Sequence, residues 1–285
     1  MPASPISTDA ATPDDVSSFA PPQTPSRSTN RRFASLRTIA ALILREMSSQ
    51  YGRTPGGYIW AILEPLAAII FLSLGFSLVV RTPSLGTSFL LFYASGYLPF
   101  GLYASLSNMV ANAIRFSSGL LKYPAVNWLD AILARFILNS LTQILVGALL
   151  IGGIMILVDA HAVFSPMPVL EAIALALLLS LGVGCVNCVL SGLFPVWATA
   201  WAILNRPLFL ASGVFYLYED LPQAAQAILW YNPLIHIVGL FRTGIYPTYT
   251  AAYVEPLYPL MLALALLTLG LILMGRFHRD VLNKR

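Results

Sequence analysis

Six long apolar runs dominate this chain: Tyr58–Val80, Phe89–Ala113, Trp128–Val158, Val169–Leu190, Val196–Leu217 and Leu257–Gly275. Each is near or above the roughly 20 residues that a helix needs to cross hydrocarbon. Charged residues make up only 10% of the chain, against about 25% in an ordinary globular domain. A soluble domain is thereby excluded, and the bilayer is the solvent. In lipid every backbone amide has to be satisfied internally, so only helices or a closed barrel can span. The runs are continuous and lack the alternation of barrel strands. The expected class is therefore an all-α integral membrane protein with six transmembrane helices.

Six spans put both chain ends on one side, and the Lys and Arg distribution says which. Arg27, Arg31, Arg32, Arg37, Arg45, Arg53, Arg115, Lys122, Arg276, Arg279, Lys284 and Arg285 flank the spans on one side, whereas Arg81 and Arg242 alone fall on the other. Both termini are expected in the cytoplasm. The net charge of +4 is accounted for by orientation and attraction to anionic lipid, with no nucleic-acid partner required.

Residues 1–30 are rich in Ser, Thr, Pro, Ala and Asp, with Ile6, Val16 and Phe19 as their bulky apolar side chains. Such a segment buries too little to offset the entropy of ordering and reads as a disordered cytoplasmic tail, without the basic start and apolar stretch of a signal peptide. The transmembrane domain is placed at 31–285. From Phe33 to Met47 the period becomes helical: Phe33, Leu36, Ile39, Ile43, Leu44 and Met47 share one arc, with Arg37 and Arg45 on the other. Too short and polar to span, this amphipathic helix suits the cytoplasmic interface, as a lipid anchor or as a docking surface for a cytosolic partner.

The motifs that would make the chain an enzyme are missing. Cys185 and Cys188 form a C-x-x-C inside the fourth run, beside Gly182 and Gly184, where small apolar-behaving residues let helices approach closely. His161, His236 and His278 are scattered, so no metal site or cofactor is expected in this chain. There is no H-E-x-x-H, no G-x-S-x-G and no Gly-Lys dipeptide, which rules out a Walker-type ATP site. Any chemical energy source has to sit in a partner.

Two blocks carry a family resemblance. Leu44-Arg45-Glu46-Met47, Tyr51-Gly52-Arg53 and Gly57-Tyr58-Ile59-Trp60-Ala61-Ile62-Leu63-Glu64-Pro65-Leu66 resemble the start of span one in type-2 ABC permeases that export polysaccharides. Ser212-Gly213-Val214-Phe215-Tyr216, Leu221-Pro222, Tyr231-Asn232-Pro233-Leu234-Ile235-His236 and Phe241-Arg242-Thr243-Gly244 resemble the segment that closes span five and the hairpin after it. Within that family the chain is most similar to capsular polysaccharide permeases, with O-antigen and teichoic acid permeases as the nearest alternatives. The resemblance implies a homodimer in the cell inner membrane, paired with cytosolic ATPase subunits that bind ATP and Mg. It further implies a lipid-linked, acidic glycan moved from cytoplasm to periplasm, with periplasmic and outer-membrane export proteins beyond. A channel or secondary transporter needing no ATPase is the more distant alternative.

Against that expectation, Phe89, Tyr93, Tyr97, Phe100 and Tyr103 lie within about a 120° arc of span two. An aromatic stripe offers ring faces to sugars, or packs against neighbouring helices. In span five Phe194, Trp197, Trp201 and Phe215 repeat the theme. Arg206 lies deep in that span, where a charge costs on the order of 3 kcal/mol unless paired or wet. It is expected either to pair with Glu64, a structural membrane charge, or to line the substrate path with Tyr93, Tyr97, Phe100, Tyr103, Trp197 and Trp201. Arg135 and Asp130 are read as an interfacial pair. The Ile114–Asn127 loop, with room for two helical turns, would be the coupling helix; Arg37, Arg45, Arg115, Phe116, Leu120 and Lys122 are the candidates for touching the ATPase. Leu217–Pro256 is expected to hold a re-entrant periplasmic pair of half-helices, capped by Asp220 and broken at Asn232-Pro233, with Tyr246, Tyr249, Tyr253 and Tyr258 at the outer interface.

Overall fold

The computed structural model describes residues 34–50, 57, 59–121, 126–158 and 164–283. Among them the elements are all helical: α1 (Ala34–Gln50), α2 (Ile59–Ser77), α3 (Phe89–Ala111), α4 (Ala113–Ser117), α5 (Trp128–Leu157), α6 (Pro166–Leu193), α7 (Pro195–Leu210), α8 (Gln223–Leu229), α9 (Pro233–Ile245) and α10 (Leu257–Asn283). Helices α2, α3, α5, α6 and α10 are each long and apolar enough to cross a bilayer, and the pair α8 and α9, bent by 102°, adds a sixth candidate. The protein is an integral membrane protein. The tail at 1–30 and the coupling-loop residue Lys122 lie outside the described residues.

Helices α3 and α6 are the buried centre, with α6 packed along α10 on one side and α3 on the other. Small residues allow this. A Cβ on Gly182 would stand 2.8 Å from the Ala263 carbonyl of α10, and one on Gly184 would stand 2.6 Å from Val110 of α3. Cys185 and Cys188 sit buried in the same interface with no disulfide between them, with Gly270 of α10 directly against Cys185. They are packing residues, as the sequence indicates. By contrast α2 fully buries Ile69 alone and α7 buries no residue within one chain.

The fifth apolar run is not one helix. α7 stops at Leu210 after 16 residues, about 24 Å at 1.5 Å per residue and so short of the roughly 30 Å of hydrocarbon. Pro207 lies in its last turn, and Gly213 turns the chain at φ +74°, a conformation that suits glycine. Phe215, expected on the α7 face, therefore lies beyond the helix and packs between Phe76 and Phe209. The last span errs in the other direction, since α10 continues past Gly275 to Asn283 and carries Arg276 and Arg279.

Candidate functional site

The α3 and α7 aromatics meet at one end of this bundle. The Phe100 ring lies 4.9 Å from that of Phe209, which also takes the edge of Tyr97 at 6.3 Å. Together with Ala202, Asn205, Arg206 and Leu210, Phe100 and Phe209 line an open pocket of about 410 Å³. Arg206 is exposed there. Its expected partner is not: the described residues contain one ion pair, Arg135 with Glu46 at 3.5 Å, while Glu64 lines a different cavity, on α2. The Arg206–Glu64 pair is thus not made within one chain. Asn205 next to it holds Oδ1 buried with no hydrogen-bond donor among the described residues.

The rest of the aromatic stripe divides. Tyr93 is enclosed by Phe76, Phe89 and Phe92, with ring centroids at 5.2, 6.5 and 5.2 Å. Tyr103 is 2% exposed and sits against Phe100. These two are packing residues in this conformation, because the stripe is the face that α3 turns toward α2 and the 209–215 segment. Tyr97 lines a cavity among α2, α3, α5 and α6, not the Arg206 pocket. On α7, Trp197 and Trp201 stack at 6.4 Å, and the Trp197 indole N–H donates to Asn187 Oδ1 of α6 at 2.9 Å. That bond fixes the first turn of α7.

Beyond the end of α3, the helical part of the Ile114–Asn127 segment is shorter, among the described residues, than the two turns expected. After Asn112 breaks α3, α4 makes little more than one turn, followed by turn hydrogen bonds from Leu120 and Leu121 to Ser117. Arg115 is exposed and Leu120 half-buried. Phe116 and Arg45 are engaged with each other and with Arg135: the guanidinium of Arg135 lies 4.3 Å over the Phe116 ring, that of Arg45 6.0 Å. Arg135 thereby ties α5 to Glu46 of α1 and to α4, instead of pairing with Asp130. Asp130 caps its own helix, accepting from the Asn127 backbone N–H at 3.4 Å. Burial raises the Glu46 carboxyl above its ordinary range, while Arg135 and Arg45 oppose that shift. Among the described side chains of α1 Glu46 is the buried one, while Leu44 and Met47, on the apolar arc, are exposed. Arg37 is exposed.

The segment after α7 is organised by a cation on the second of the two expected half-helices, which the charge count had set among the loops facing away from the termini. Arg242 on α9 is 2% exposed. It donates to the Tyr216 carbonyl at 2.9 Å and the Val214 carbonyl at 3.1 Å, and lies 4.3 Å over the Phe92 ring. The tyrosines beyond α9 are tethers more than an exposed belt. Tyr249 donates to Glu219 at 3.0 Å, Tyr253 to the Ile235 carbonyl at 3.3 Å, and Tyr258 to the Tyr231 carbonyl at 2.7 Å. Burial pushes the Tyr249 phenol well up, so it stays a neutral donor. Asp220 ends a short 3-10 turn and Pro222 occupies the N-cap of α8, whereas Asn232 caps α9 by accepting from Leu234 N–H at 3.1 Å. The signals that would have found Arg242 and Glu46 are their motif neighbours, since hydropathy alone ranks both as surface residues.

Comparison with known proteins fits this architecture. Residues 37–246 match the ABC-2 type transporter family, and the chain belongs to it. Among its relatives, the polysialic acid transport protein KpsM of Escherichia coli is 31% identical over 83% of this chain and 92% of its own length. The capsule polysaccharide export inner-membrane proteins BexB of Haemophilus influenzae and CtrC of Neisseria meningitidis are 30% and 28% identical, each over 86% of this chain and 92% of their own length.

Proposed function

We propose that this chain is the permease subunit of an ATP-driven exporter that moves an acidic, lipid-linked capsular polysaccharide across the inner membrane to the periplasm. Two copies form the path, and a separate ATPase that binds ATP and Mg drives it. The α7 face carries this reading. Val196, Ile203, Leu204 and Leu210 on it are 77, 62, 52 and 59% exposed, as a face turned to lipid or to another copy would be. Arg206 stands among them, one turn from the end of α7, and a cation facing lipid costs up to about 2.5–3.5 kcal/mol at the centre of a span. Protein and water are the surroundings that suit it, which a second copy of α7 with an aqueous path between them supplies. The relatives named for capsule export favour capsule over O-antigen or teichoic acid, and family membership displaces a channel working without an ATPase. Transfer to periplasmic and outer-membrane export proteins would follow.

In this reading α1 lies in the cytoplasmic interface, and α4 with the loop after it is the coupling element. The α8–α9 pair re-enters from the periplasm, where backbone at membrane depth is shielded by the protein around it. Glu46, Phe116 and Arg135 join α1, the coupling element and α5, so a push on α4 reaches both helices. Arg115 and Leu120, with Lys122, remain the surface for the ATPase; Arg45 acts within the clamp.

Copurification tests the assignment. The wild-type chain should bring down an ATPase with Walker motifs. Charge reversal at Arg115 and Lys122, or Leu120→Asp, should remove it while membrane abundance stays unchanged. Survival of ATPase association and export in both variants would refute the coupling surface. Orientation is read separately with impermeant thiol reagents on intact cells: cysteines at Ser165 and Thr248 should label, and one at Ser28 should not.

A further inference from the structure

A second cavity, of about 520 Å³, lies among α2, α3, α5 and α6 and shares no lining residue with the Arg206 pocket, the Tyr97 ring standing between the two. It is within the roughly 300–1,000 Å³ of small-ligand sites. Along α5 it runs from Gln143 to Met155, about 18 Å at helical rise, so it is long and narrow. Its two ends differ in chemistry. One holds Glu64, and Gln143 donating to Ser105 Oγ at 3.0 Å; the other is walled by Met155, Phe164 and Phe241. Glycines make the room, because a Cβ on Gly147 or Gly152 would meet no atom within 4 Å. The cavity is not sealed between α2 and α5, which touch only lightly.

Among the described residues Glu64 has no cation partner, since the ion pair there is Arg135 with Glu46. A carboxylate at the polar end of an apolar slot complements an amphiphile with a cationic head. We propose that this cavity holds one hydrocarbon chain of an aminophospholipid, with its ammonium against Glu64 and its second chain left in the bilayer between α2 and α5. Glu64 lies five residues into α2 from Ile59, about 8 Å, within reach of a headgroup at the membrane surface. With the termini cytoplasmic, that surface is the cytoplasmic leaflet, and this leaflet assignment rests on the orientation proposed above. The lipid would brace α2, the least buried span, against α3 and α5.

The test uses the full chain purified in detergent and washed of loosely held lipid, with retained lipid counted by native mass spectrometry. Wild type should keep one phosphatidylethanolamine per chain. From nanodiscs of equal phosphatidylethanolamine and phosphatidylglycerol it should keep the former about tenfold in preference, the worth of one charge-assisted contact. Glu64→Gln should abolish that preference, and Gly147→Leu with Gly152→Leu should empty the site. No retained lipid, equal retention of phosphatidylglycerol by wild type, or undiminished retention in the filled variant would each overturn the proposal. So would disulfide cross-linking of Gly147→Cys between two copies, which would show the space occupied by a second chain. None of these readouts uses export, so they stand or fall apart from the cargo, and the thiol labels report orientation independently.

Discussion

Arg242→Ala should strip the chain from the membrane fraction and lower the melting temperature of whatever remains in detergent. The guanidinium joins three parts of the molecule: α9, which carries it, α3 through Phe92, and the 214–216 segment through two carbonyls. That segment can come so close because Gly96 of α3 has no side chain; a Cβ there would stand 2.9 Å from the guanidinium and 3.0 Å from Val214. Alanine leaves two buried carbonyls without donors, at about 1–3 kcal/mol each, and a hole where the side chain was. Against a total stability of about 5–15 kcal/mol, the loss is large. Arg242→Lys should restore little, because a single ammonium on a flexible stem does not reproduce a fork that reaches two carbonyls. An Arg242→Met chain with normal abundance and melting behaviour would show that the tie is dispensable.

Arg242 also marks where sequence reading stops. Hydropathy placed the spans well, because a bilayer imposes length and composition on every helix it contains, and α2, α3, α5 and α6 begin and end within a few residues of the apolar runs. It failed where apolar residues are buried by protein instead of lipid. Ala211–Leu217 is as apolar as a span, yet it is a turn held by Gly213 and Arg242, and composition does not distinguish the two. Charges were misread for the same reason. Arg135 was given the neighbour nearest in sequence, Asp130, but a helix N-terminus with a free backbone N–H claims that carboxylate, leaving Arg135 to a partner 89 positions earlier, Glu46. The aromatic stripe was legible as a stripe. Which of its rings face a cavity depends on how α2 and the 209–215 turn cover it, and one chain's periodicity does not encode its neighbours.

Arg206 gives the sharpest functional expectation, since the structure withholds the intrachain partner that would make it a structural charge. With Glu64 at another cavity, Arg206→Ala breaks no ion pair among the described residues and should leave abundance and detergent stability close to wild type. Export of an acidic glycan should fall, and Arg206→Lys should keep part of it, because a point charge still attracts a polyanion but lacks the bidentate grip on a carboxylate. Arg206→Glu should reduce export by about tenfold or more, since replacing attraction by repulsion at one contact exceeds the 1.4 kcal/mol that a factor of ten represents. Asn205→Ala should add a smaller loss by removing the buried acceptor beside it. Surface glycan measured alongside membrane abundance separates the cases: loss of abundance in Arg206→Ala would reveal a structural partner in the second copy. A stable Arg206→Glu chain exporting an acidic glycan at the normal rate would place the path elsewhere than the α3–α7 pocket.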